Sequence, residues 1–285
     1  MPDTPTAASF RSVPADAPAL IRALDRIAQA HPLDRKVLVA TARGAGRELL
    51  RTLARIRGGW TGFVVETPRP FALQLATPGL ARRKRRVMDE FEEEALVDEA
   101  VDVALQGGGP ATAYASLAGG PGFRKAVKGA IAGLRLAGVT PDALRRAPFR
   151  NAAKRDFLVR TLSAMEEGME ARGALDIAGV LALATEALEE GEPIPADRIY
   201  LLPGLSSRGV SGRFVRALQD RGVGVLPADR VVGLDPPRGT VWREGGEGTR
   251  RSFLAAPAAA PTPSGEAASP PGSAAGGPGT AEHQD

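Results

Sequence analysis

The sequence predicts an α/β protein, in which a parallel-sheet domain is interrupted by an all-helical subdomain and followed by a disordered C-terminal tail. Three observations predict this. Short Val-rich runs alternate with helical patterns over residues 35–81, helical periodicity alone fills residues 82–190, and strand-like runs return at RIYLL (198–202) and VGVLP (223–227).

Residues 1–18 are rich in Pro, Ala and Ser and predict a flexible leader. Leu20, Ile21, Leu24 and Ile27 then share one side of a helix over 19–30, which His31-Pro32 ends. The first part of the sheet domain spans 19–81. Val37, Leu38 and Val39 read as a strand buried on both faces, Gly44 and Gly46 as the following turn, and Leu49, Leu50, Leu53 and Ile56 as the apolar side of a helix. TGFVVET predicts the second strand, and Thr67-Pro68 opens a helix carrying Phe71, Leu73 and Leu75.

The helical insertion, residues 82–190, opens on RRKRR and DEFEEE, two charge runs that read as a solvated face with local ion pairs. Helices follow around Leu96, Val97, Ala100, Val101 and Leu105, over 121–136, over 142–147, over 152–172 and over 175–189, with Gly107 to Pro110 as a break. Residues 191–244 return to the sheet domain through RIYLL, the turn PGLSSRG, a helix from Val210 and VGVLP. From Gly245 to Asp285 the chain is Gly, Pro, Ala, Ser and Thr with few large apolar residues, and is expected to be disordered.

Composition narrows the chemistry. The apolar fraction of 43% suffices for a sizeable core, and the absence of Cys excludes disulfides, iron–sulfur clusters and thiolate zinc. His31 and His283 are the only imidazoles, so no metal centre is expected. Basic residues number 37 against 33 acidic, and the basic side is mostly Arg, which suits phosphate contacts. No segment has the length of a membrane span and the N-terminus lacks a signal-peptide core, so a cytoplasmic protein without membrane contact is expected.

No catalytic constellation emerges, and no catalytic residue or cofactor is assigned. GLSSRG places Ser206 between a strand and a helix, but Arg208 occupies the second Gly of a nucleophile elbow, and the only later His is His283. A phosphate loop of the form G-x-x-x-x-G-K-[ST] is missing. The candidate anion site is the strand, turn and helix at 35–58, where unpaired helix N–H groups would meet an anion beside Arg43 and Arg47. Gly44 and Gly46 fit equally a tight strand–helix connection with no ligand.

The order of elements resembles the AddB-type subunit of bacterial helicase–nucleases, PD-(D/E)XK nuclease family proteins whose N-terminal half is a degenerate UvrD-like helicase. KVLVATARGAGRELLRTLA is similar to the family's first strand and helix, VVETPRPFALQLA to the next such pair with Thr67 at its Thr, and LDIAGVLALA, with Asp176, to the segment closing the helical insertion. IYLLPGLSSRGVSGRFVRAL resembles the Walker B strand and helix, with Pro203-Gly204 in place of Asp-Glu.

The resemblance covers about residues 35–242. It implies a RecA-like fold without ATP hydrolysis and without the nuclease half, in a stand-alone remnant or a truncated version of a longer protein. It implies binding of single-stranded or unwinding DNA in recombination and double-strand-break repair, beside a helicase–nuclease partner subunit. Arg43, Gly44, Gly46, Arg47, Thr67 and Arg69 would hold the DNA backbone. Trp60 and Phe71 would either stack bases or pack in the core. A protein–protein adaptor and a small phosphate-binding α/β enzyme are the alternative readings.

Overall fold

The computed structural model describes residues 12–106 and 108–227; the expected tail 245–285, the last part of segment 191–244 and residues 1–11 of the leader lie outside them. Within the described residues the chain is mostly helical and carries a small parallel sheet. Strand β1 (Lys36–Val39) lies inside it, between β2 (Phe63–Glu66) and β5 (Arg198–Leu201), with β6 (Gly224–Val225) beyond β5. All pairs are parallel, and Val39 lies level with both Glu66 and Leu201.

Helices cover both faces of the sheet, as parallel strands require. On one face α1 (Ala19–Ala30) and α2 (Arg43–Arg57) bury Leu24, Leu50 and Leu53 against Leu38, Ala40 and Phe63, with Val13 of the leader packed at the rim. The other face is covered by α3 (Pro68–Arg82), α8 (Ile177–Glu189) and α9 (Gly209–Asp220), which bury Phe71, Leu181 and Phe214 against Val37, Val39 and Leu201. Alternation along β1 sends Val37 and Val39 to one core and Leu38 and Ala40 to the other, so the whole KVLV run is buried. Phe71 and Phe214 meet edge to face at 6.4 Å, joining α3 to α9.

A third core is built from α4 (Glu90–Gln106), a 3-10 helix (Gly109–Leu117), α5 (Pro121–Ala137), α6 (Pro141–Arg146) and α7 (Ala152–Ala171). Leu96, Val101, Ile131, Leu162 and Met165 fill it, and Tyr114, Phe123 and Phe157 stack at one end with centroids 5.2–6.1 Å apart.

Residues 82–190 are not helical throughout, contrary to the expectation from periodicity. β3 (Arg86–Val87) and β4 (Ala174–Leu175) form a two-residue parallel ladder, Arg86 level with Ala174. Strands this short carry no period for a sequence to display. The ladder brackets the third core, whereas α8 belongs to the sheet core against α3.

RRKRR is dispersed over four ion pairs: Arg82 with Glu192, Arg83 with Glu186, Arg85 with Glu170 and Arg86 with Glu92. Lys36, at the start of β1, is fully buried; its Nζ donates to the carbonyls of His31 and Asp34 and sits 5.2 Å over the Phe63 ring. Burial lowers its pKa, against the raising effect of Asp34. Among the described residues no helix is long and apolar enough to cross a membrane.

Candidate nucleic-acid interface

The connection from β1 leads outward to β2, and the chain later returns across β1 to β5, so the winding reverses between β1 and β5. Ligands of open α/β sheets gather beyond the carboxyl ends of the strands at such a reversal. Three short segments stand at the carboxyl ends of these strands: Thr41 to Arg43 after β1 and Pro203-Gly204 after β5 flank the reversal, and Thr67 to Arg69 after β2 lies one strand further out. Gly204 takes φ +89°, and a Cβ on it would lie 3.9 Å from the Thr41 side chain, so the loop after β5 closes over the end of β1.

The start of α2 corrects the expected turn. Helix α2 begins at Arg43, capped by Ala42 in an extended conformation, so Gly44 and Gly46 lie inside its first turns rather than in a loop. Gly46 donates its N–H to the Ala42 carbonyl at 3.4 Å and is therefore not among the N–H groups open to an anion. Its role is packing: a Cβ at Gly46 would stand 2.5 Å from Val65 Cγ1, closer than the sheet allows. Gly44 faces outward with nothing within 4 Å of a built Cβ, and its N–H belongs to the first turn, whose donors the helix itself does not satisfy.

Arg43 and Arg47, with Trp60, line one cleft of about 430 Å³ between α2 and β2, together with Leu50, Arg51 and Val65. Arg43 is tied to Glu66, Nη2 to Oε2 at 2.7 Å, so an incoming phosphate would share this guanidinium with a carboxylate. Arg47 is exposed and has no carboxylate partner among the described residues. Trp60 is half-buried: its indole N–H donates to the Leu50 carbonyl at 2.7 Å and its ring meets Phe63 edge-on at 5.7 Å.

Thr67 caps α3 in an extended conformation without using its hydroxyl on the helix, and Arg69 is exposed in the first turn. Arg69 belongs to the other side of the sheet, where its charge reaches Glu93 of α4. Phe71 is a correction to the stacking reading. At 0% exposure, in the core between α3 and α9, it presents no face to a base. Ser206 only closes its own loop, exchanging hydrogen bonds of 3.3 Å with the Arg208 backbone.

A buried polar cluster lies outside the candidate site residues read from the sequence. Arg135 of α5 grips Asp176 through Nε (2.9 Å) and Nη2 (3.1 Å) and reaches Glu166 of α7 through Nη1 (2.6 Å). Asp176 is 4% exposed and also caps α8 by accepting the Gly179 N–H at 2.7 Å. Burial opposes the Arg135 charge, but the bonds and charges of Asp176 and Glu166 outweigh it and raise its pKa. The cap was readable in LDIAG, because an Asp before an apolar helix is a cap signal; a partner 41 residues upstream was not.

The fold and this edge define a parallel α/β protein with arginines at the carboxyl end of its sheet. No family model matches the chain, and no curated protein matches it.

Proposed function

We propose that the chain is a degenerate RecA-like helicase domain that binds single-stranded or unwinding DNA without catalysis, resembling the inactivated motor half of an AddB-like subunit. In this reading it acts in cytoplasmic double-strand-break repair beside a helicase–nuclease partner subunit.

One observation carries the proposal: adjacent parallel strands β1 and β2 each lead at their carboxyl ends into a helix whose opening turn carries an arginine, Arg43 on one face of the sheet and Arg69 on the other, with Arg47, without a carboxylate partner among the described residues, one turn further along α2. Helix N-termini and guanidiniums both favour the phosphates of a nucleic-acid backbone, and neither reads sequence. The strand end that would hold magnesium in a working motor carries Pro203-Gly204, which has no carboxylate to offer.

Labelled single-stranded DNA titrated against the full chain at several salt concentrations tests this. Three arginine–phosphate contacts predict a log–log salt slope of about 2 in magnitude. Arg47→Ala with Arg69→Ala lowers that slope and weakens all sequences alike. Absence of binding at low salt, or an unchanged slope in the double variant, refutes the proposal.

A further inference from the structure

We infer that the outer edge of β2 is a docking site for an acidic, extended peptide of another protein, which adds to the sheet as a further strand. Among the described residues β2 is the outermost strand and pairs with β1 alone. Lys36 donates to the Gly62 carbonyl and Ala40 to the Glu66 carbonyl, so alternate residues 62, 64 and 66 face β1. In a parallel ladder this directs the N–H and C=O of Phe63 and Val65 to the open side. The sequence of β2, FVVE, has neither Lys nor Pro to blunt that edge.

The cleft beside this edge has a composition that selects the partner. Its floor is apolar, formed by Trp60, Leu50 and Val65, and its wall carries a row of arginines at four-residue spacing on α2, Arg43 paired with Glu66 at one end, Arg51 with the exposed Glu48 at the other, and Arg47 between them without a carboxylate partner among the described residues. Four residues of helix rise about 6 Å, and alternate residues of a strand repeat about every 6.7 Å. Every second side chain of an added strand therefore meets the next guanidinium, and acidic residues at alternate positions fit the row. The row rises about 12 Å against about 13 Å for the four residues of β2, so it flanks the whole edge.

At the open backbone edge of β2 itself, two other occupants fit less well. A second copy of this chain paired edge to edge would bring two such arginine rows together. A nucleic-acid strand satisfies the guanidiniums but offers its backbone phosphates only as acceptors, leaving the outward carbonyls of Phe63 and Val65 facing anionic oxygens. A peptide backbone supplies donor and acceptor to both. This inference goes beyond the DNA proposal and does not rest on it.

Fluorescence anisotropy of a labelled peptide of alternating Glu and Val, titrated with the full chain at low salt, tests it. Saturable binding is expected, with a loss of at least about tenfold when alternate peptide nitrogens are methylated, the scale of two lost backbone hydrogen bonds. Arg51→Glu is expected to weaken the peptide at least tenfold as well. Arg51 is outside the residues proposed for DNA, so a defect confined to the peptide separates the two readings. Equal binding of the methylated and unmodified peptides would reduce the contact to charge alone and overturn the inference. So would binding of labelled oligothymidylate that is lost in Arg51→Glu while no peptide binds, which would assign the cleft to nucleic acid.

Discussion

Asp176 joins two interactions at one residue, and its replacement separates them. Asp176→Ala removes the acceptor for the Gly179 N–H, worth about 1 kcal/mol as a helix cap. It also takes two of the three carboxylate bonds from Arg135, which is only 18% exposed. Breaking a buried pair by removing one partner costs about 3–5 kcal/mol, and Glu166 at 2.6 Å keeps the remaining charge partly compensated, so the lower end of that range applies. The expected total is about 4 kcal/mol, a large share of the 5–15 kcal/mol that usually separates folded from unfolded domains. Asp176→Asn keeps an oxygen for the cap while removing the charge, and is expected to cost about 1 kcal/mol less than Ala. Urea unfolding of the full chain, followed by far-ultraviolet circular dichroism, measures both. Equal losses in Asn and Ala would remove the cap from the account, and losses below about 1 kcal/mol in both would show that the buried pair adds no stability.

The two glycines of α2 are expected to respond with opposite signs. Gly44→Ala gains about 1 kcal/mol of helix propensity in open space, whereas Gly46→Ala meets Val65 and loses about 1 kcal/mol net, recovered in part by Val65→Ala; thermal unfolding decides, and a shared sign refutes the packing role of Gly46. Trp60→Phe removes the donor to the Leu50 carbonyl and is expected to cost about 1 kcal/mol of stability in the same assay. Burial, and secondly the charge of Asp176, pushes the Glu93 carboxyl above its ordinary 4.5, with Lys128 and Arg69 opposing. The folded state then holds the proton more tightly, so the charged form is disfavoured and stability falls as pH rises from 4.5 through the raised value. Glu93→Gln should therefore stabilise the protein at neutral pH and leave it unchanged well below pH 4.5; a gain that persists in acid would refute this.

The parts of the fold legible in sequence were those with a local signature. The runs at Val37 to Val39, at Phe63 to Glu66 and at Arg198 to Leu201 are strands, and the periodic apolar residues of α1, α4, α5 and α7 face cores. What escaped depends on partners distant in the chain. Gly46 resembles a turn residue because nothing nearby reveals that Val65 will press on it. Phe71 is aromatic and helical, which suits a stacking platform or a core, and only the arrival of α9 with Phe214 decides between them. Arg43 is a charged residue in a basic stretch until Glu66, 23 positions later, is brought against it by the parallel register of β1 and β2. The basic run at 82–86 reads as a solvated face with local ion pairs, yet only Arg86 finds its acceptor nearby, in Glu92 of α4; the acceptors of Arg82, Arg83 and Arg85 come from the loop after α8, from α8 and from α7.

The ladder of β3 and β4 has a consequence for how this chain could be taken apart. It brings Val87 level with Leu175, so the helical block leaves and rejoins the sheet unit at neighbouring points and carries a core of its own between them. Closing a loop costs entropy that grows only as the logarithm of its length, so a block of this size burdens its host by only about 2–3 kcal/mol more than a short linker would. Such an arrangement lets the helical block be shortened or exchanged at one junction, where the packing of Leu136 against the sheet core and the pair of Arg135 with Asp176 are what a replacement must restore.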